Sequence, residues 1–168
     1  MGVFKFLKNV GAKIFGKKKE EQKNTPVSDT PLVYSPEEMD RQKEAELIAL
    51  VRTYNLPLEE AGFNVNDDVV VIKGNTDSQA NKEKIILIVG NVEGIAEVHD
   101  NIVVESPEPE AVFYTVEKGD TLWKISSHHY GNGAKYMVIF EANKPMLEDP
   151  DKIYPGQVLR IPPLEGVA

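Results

Sequence analysis

Three kinds of residue in this chain could do chemistry: histidines, paired carboxylates and a glycine-bounded turn. His128 and His129 are adjacent, and His99 stands alone. Neighbours on a helix point about a third of a turn apart, so His128 and His129 cannot share a metal as an i, i+4 pair can. They read as surface or half-buried side chains. The acids Glu59-Glu60, Asp67-Asp68 and Asp149 with Asp151 could serve glycoside hydrolysis. Each pair falls in an expected turn or linker, where solvated charge is the ordinary use. Asp149 and Asp151 lack the glycine turn and terminal Glu of a calcium loop. No phosphate loop, nucleophile elbow or Ser/His/Asp arrangement is present. No enzyme is expected and no catalytic residue is assigned.

The stretch Ile85–Val104, IILIVGNVEGIAEVHDNIVV, offers a different chemistry. Its apolar run is too dense for a surface helix. It breaks at Gly90, turns through Asn91–Gly94 and leaves on alternating apolar residues. That reads as helix, turn, strand. A helix stopping at Val89, with Gly90 as a left-handed cap, leaves carbonyl oxygens without partners in its last turn. Most such oxygens are met by water. Gathered together, they can also hold a large monovalent cation, since potassium gives up its water shell for neutral backbone oxygens. The negative end of the helix dipole assists.

The elements that must position that turn follow from pattern. Phe4, Leu7 and Gly11 share a helical face near Val3, Val10 and Ile14, with lysines opposite. A short basic amphipathic helix is expected, stopped at Gly11. Such a face suits a membrane surface. A helix this short needs tertiary support, which favours docking on the protein's own core. Residues 17–36 read as a linker. Ser35-Pro36-Glu37-Glu38 starts a second helix that runs to about Asn55 and buries Ala45, Leu47, Ile48, Val51 and Tyr54. Gly62–Gly74 reads as a hairpin turning at Asn66-Asp67-Asp68. Thr76-Asp77-Ser78 caps the helix that carries Ile85, Ile86 and Val89. Glu105–Val112, ESPEPEAV, is a semi-stiff spacer. Then come strand Phe113–Val116, a helix capped by Thr121 and stopped by Gly131, a helix from about Ala134 to Asn143, and a closing strand over Gln157–Ile161. Trp123 is expected to plug the small core beside Leu122 and Ile125.

The whole is an α+β chain of 168 residues in four parts: 1–36, 37–105, 106–112 and 113–163. A net charge of -8 argues against nucleic acid. The absence of cysteine removes disulfides and thiolate chemistry. The N-terminus lacks the form of a secretory signal, because Lys5, Lys8 and Lys13 interrupt any apolar core. No run could cross a bilayer.

Residues 39–104 resemble the BON domain, on GFNVNDDVVVIKGN, SQANKEKIILIV and GNVEGIAEV. That family implies the order αββαβ and a binding role. Residues 113–162 resemble the LysM domain, on YTVEKGDTLWKIS, IFEANKP and IYPGQVLRIP, with the order βααβ. In that family a groove binds N-acetylglucosamine polymers such as peptidoglycan or chitin. It would here use Gly119, Asp120, Thr121, Leu122, Asn143, Asp151, Ile153 and Pro155.

An MGVFKFLKNVG start, one BON and one LysM domain together resemble the small cytoplasmic bacterial potassium-binding proteins of BON–LysM architecture. The resemblance implies a cytoplasmic protein that binds K+ through main-chain carbonyls and becomes more compact. The carbonyls would be those of Leu7, Val10 and Ala12 on one side and Gly90, Val92 and Ile95 on the other. Glycan binding through the LysM groove is the alternative, with the missing export signal against it. Residues 16–42 look less helical than the resemblance suggests.

Overall fold

The computed structural model describes residues 2–7 and 35–164. The first element is a strand, β1 (Gly2–Lys5), where a helix was expected. Phe4 and Phe6 alternate with exposed residues, and a period of two serves a sheet edge that a helical stripe would not. Val10, Gly11, Ala12 and Ile14 lie outside the described residues, as do residues 17–34.

Helix α1 (Pro36–Thr53) begins at a capping box. The Ser35 Oγ accepts from Glu38 N–H at 3.3 Å, and Glu38 Oε2 accepts from Ser35 N–H at 2.9 Å. The helix buries Leu47 and Val51, whereas Ala45 is exposed. Strands β2 (Glu59–Asn66) and β3 (Val69–Ser78) form the hairpin, turning at Asp67 with φ 54°. Helix α2 (Gln79–Gly90) is capped by Ser78, and β4 (Glu97–Ser106) returns parallel to β3. The sheet order is β1-β4-β3-β2, so the N-terminal strand closes the edge of β4.

The second unit pairs β5 (Val112–Thr115) with β6 (Val158–Ile161), antiparallel. Between them lie α3 (Leu122–Tyr130), a 3-10 turn over Gly133–Lys135 and α4 (Tyr136–Ala142). Gly131 ends α3 with φ 68°. The 3-10 turn takes the first residues that the sequence assigned to the second helix.

Ile85, Ile86, Leu87, Ile88 and Val89 are all buried. A helix apolar on every side must be covered on every side. Here the first sheet covers one face of α2 and β6 of the second unit contributes to the other. Glu83 on α2 completes that contact. Its carboxylate pairs with Arg160 Nε at 3.3 Å in buried surroundings and accepts from the half-buried Ala111 N–H at 3.2 Å. The spacer before β5 is thereby tied to the helix.

Trp123 is not a core residue. It is 55% exposed, with its ring 6.1 Å from that of Tyr136. Gly133 lies beneath the indole, and a side chain there would strike it. Leu122 and Ile125 fill the core instead.

Candidate functional site: the turn after helix α2

Gly90 is not a left-handed cap. It is the last residue of α2, and the cap is Asn91, with φ -80°. Gly90 is glycine for a packing reason: the ring of Phe6 stands where a side chain would project. Phe6 is itself buried, and its N–H donates to Ala96 C=O at 2.8 Å. The strand that begins the chain therefore ends on the turn that follows α2, and Leu7 is the next residue.

Asn91 closes the helix twice. Its backbone N–H and its side-chain Nδ2 both donate to Leu87 C=O, each at 2.9 Å. The same Nδ2 donates to Val158 C=O at 2.9 Å, and Asn91 Oδ1 accepts from Val158 N–H at 2.9 Å. The side-chain amide thus pairs with β6 as a neighbouring strand would. Asn143, after α4, repeats the arrangement two residues along. It donates to Ile139 C=O at 2.7 Å and Arg160 C=O at 2.9 Å, and accepts from Arg160 N–H at 2.8 Å. Both asparagines are fully buried. Between them they satisfy the side of β6 that faces away from β5.

The rest of the turn is held by main-chain bonds. Val92 N–H donates to Val89 C=O at 3.2 Å and Ile95 N–H to Val92 C=O at 3.2 Å. Gly94 has φ 89°, a conformation that suits glycine. Ala96 and Glu97 N–H both donate to Asp68 C=O, at 2.8 and 3.2 Å, which anchors the turn on the β2–β3 hairpin. Among the described residues, no turn or inter-element bond ends on the carbonyl of Gly90 or Ile95. The Val92 carbonyl accepts one bond and keeps a second lone pair. The Gly90 oxygen at the end of α2 and those of Val92 and Ile95 thus fall within one short segment anchored by hydrogen bonds. Leu7 adjoins it, is 58% exposed, and follows a strand and not a helix. Val10 and Ala12 lie outside the described residues.

The carboxylates and histidines form no such gathering. Among the described residues, no three His, Asp or Glu side chains approach a metal-binding cluster. His99 Nε2 contacts Glu97 Oε1 on the open face of the sheet. Asp149 Oδ1 accepts from Asp151 N–H at 2.8 Å, a turn contact. His129 packs edge-on to Tyr114, and its Nε2 is buried without a partner among the described residues. Burial, and then the neighbouring His128, hold its pKa below the ordinary histidine value. A cavity of about 280 Å³ opens between β1, α2 and the spacer, lined by Phe4, Lys82, Asp100 and Phe113 among others. Its Lys82 and Asp100 pair with each other at 2.8 Å.

Residues assigned to a glycan groove are divided by the structure. Asn143 is consumed by β6 and Leu122 is buried. Asp120 Oδ2 accepts from the Tyr114 hydroxyl at 2.6 Å and from Glu117 N–H at 2.9 Å. That hydrogen bond, with burial and the negative charge of Asp120, pushes the Tyr114 pKa up to about 12. Thr121 caps α3 through Lys124 N–H at 3.2 Å. Gly119, Asp151 and Pro155 are exposed, and Ile153 is half-buried.

Sequence reasoning missed Phe6, Asn91 and Asp68. Phe6 fell between the two faces of a supposed helix. Asn91 pairs with a strand 67 positions away, and no local signal announces such a bond.

Comparison with known proteins agrees with this architecture. The BON domain model matches residues 63–106 and the LysM domain model residues 114–162. The chain is 40% identical over 162 residues to the potassium binding protein Kbp of Escherichia coli O6:H1, covering 96% of this chain and 99% of that one. It is 49% identical over 49 residues to an uncharacterized protein of Deinococcus radiodurans, covering 29% of this chain and 19% of that one. It is 40% identical to the uncharacterized protein YqbP of Bacillus subtilis, covering 29% of this chain and 26% of that one. With likeness running almost end to end in the first of these, one BON and one LysM domain in the same chain, the protein belongs to the Kbp family.

Proposed function

We propose that this chain is a cytoplasmic potassium-binding protein and not an enzyme. It holds K+ through the main-chain carbonyls of Gly90, Val92 and Ile95 on one side and Leu7, Val10 and Ala12 on the other. The observation that carries the reading is the closure of β1 on the turn, by Phe6 N–H to Ala96 C=O and by the Phe6 ring over Gly90. It brings Phe6 against the turn in which the Gly90, Val92 and Ile95 carbonyls lie. Support from the comparisons is the near full-length likeness to a protein named for potassium binding.

K+ fits this donor set for physical reasons. Neutral carbonyl dipoles on a fixed loop replace the hydration shell of a large, weakly hydrated ion at low cost. Sodium, smaller and more tightly hydrated, would require the same loop to contract. The anchors at Asp68, Leu87 and Val158 resist that contraction. An ion shared between the loop and the chain after Phe6 favours the closed arrangement, so binding compacts the protein by population shift.

Thermal unfolding in potassium, sodium and choline chloride at equal ionic strength tests the reading. Binding to the folded state alone adds about 2.7 kcal/mol at a hundred times Kd. A melting temperature raised in potassium only is the expected result. Equal melting temperatures in the three salts would end it.

A further inference from the structure

We infer that Lys43 is an affinity-setting residue for the cation site: a tethered ammonium that opposes the entering ion and weakens its binding. The inference rests on the reading of the Gly90–Ile95 turn as that site. Lys43 projects from α1, a helix separate from the elements that form the turn. Its Nζ donates to Asp67 C=O at 2.9 Å. A methyl group built on Gly94 would lie 3.7 Å from the same nitrogen. Gly94 sits between Val92 and Ile95, two of the carbonyl donors. The hairpin tip is held in turn by Asp40 Oδ1, which accepts from Asp67 N–H at 3.1 Å, and by the Asp68 carbonyl on Ala96 and Glu97. The ammonium is therefore tethered beside the loop by a solvent-exposed hydrogen bond to the hairpin tip.

A fixed positive charge there raises the free energy of any second cation in the turn. The carboxylate of Asp40, which holds the same hairpin tip, attracts a cation, and Lys43 offsets part of that attraction. The effect is Coulombic and acts equally on potassium and sodium. It therefore sets affinity and leaves selectivity to the carbonyl geometry. A neighbouring unit charge, at an effective dielectric between that of water and that of the interior, changes a binding constant by roughly three- to tenfold.

The test is calorimetric titration of the full chain with potassium chloride, at ionic strength held constant with choline chloride. Four proteins are compared: the unaltered chain, Lys43→Arg, Lys43→Met and Lys43→Glu. Arginine should leave Kd within about twofold, because charge and tether are kept. Methionine should tighten binding roughly three- to tenfold, and glutamate should tighten it further. The gain from methionine should shrink as choline chloride is raised, since screening weakens charge effects and leaves a packing effect untouched. Weaker or unchanged binding in both Lys43→Met and Lys43→Glu would overturn the inference while leaving the potassium site standing. Failure of the unaltered chain to bind potassium would remove the site itself, and this inference with it.

Discussion

The ring of Phe6 occupies the space in which a side chain of residue 90 would stand. One glycine thus lets the start of the chain close on the helix end 84 positions later. Gly90→Ala should expel the ring and loosen Leu7 from the turn. Overpacking of this kind costs about 1–3 kcal/mol. Urea unfolding measures the loss, which should come with a diminished potassium response. Phe6→Ala in the same background should cost little more, because the contact is already gone.

Asn91 carries the second prediction. Asn91→Ala leaves the Val158 N–H and C=O buried and unpaired, at about 2–6 kcal/mol for the two groups. The two domains should then exchange amide protons independently, with Val158 losing protection first. Asn143→Ala should cost a similar amount, since it frees the Arg160 backbone in the same way. It should leave the potassium response in place, because Asn143 closes α4 and not the turn after α2.

The buried ion pair across the domain junction gives a third. Arg160→Met strands the Glu83 carboxylate beside the Ala111 N–H, and should destabilise by roughly 3–5 kcal/mol. Adding Glu83→Gln should recover much of that, because no uncompensated charge remains. Chemical denaturation of the two single variants and the double variant measures the coupling.

Acid sensitivity follows from His129. Its folded pKa lies below the ordinary value because of burial, so the unfolded chain takes the proton first. The stability involved is complete above about pH 6.5 and falls as pH drops through the folded value. His129→Phe should keep the ring against Tyr114 and flatten the stability profile below about pH 6.5. Denaturant midpoints across that range, compared with the unaltered chain, decide it.

Most of this fold was legible because local signals agreed with it. Ser35-Pro36 and Ser78 start helices, Asp67 turns the hairpin and Gly131 ends α3, each as its residue type suggests. The failures share a cause. Residues 2–5 have a pattern short enough to suit either period, and pairing with β4 decided for strand. Trp123 looked like core beside Leu122 and Ile125, but Gly133 provides a seat for it on the surface. Gly90 looked like a cap, and the need was set by Phe6, far away in sequence. The glycine turn announced a candidate site; the contacts that hold it, from Asp68, Val158 and Phe6, come from three distant strands or turns.

If potassium occupies the turn after α2, the peptide oxygens there touch the ion. Carbonyl carbon chemical shifts, followed by nuclear magnetic resonance as potassium replaces choline at constant ionic strength, test it most directly. Saturable shifts are expected at Gly90, Val92, Ile95 and Leu7, sharing one binding curve, with sodium failing to reproduce them. Saturable potassium binding that leaves those four carbonyls unmoved would contradict it.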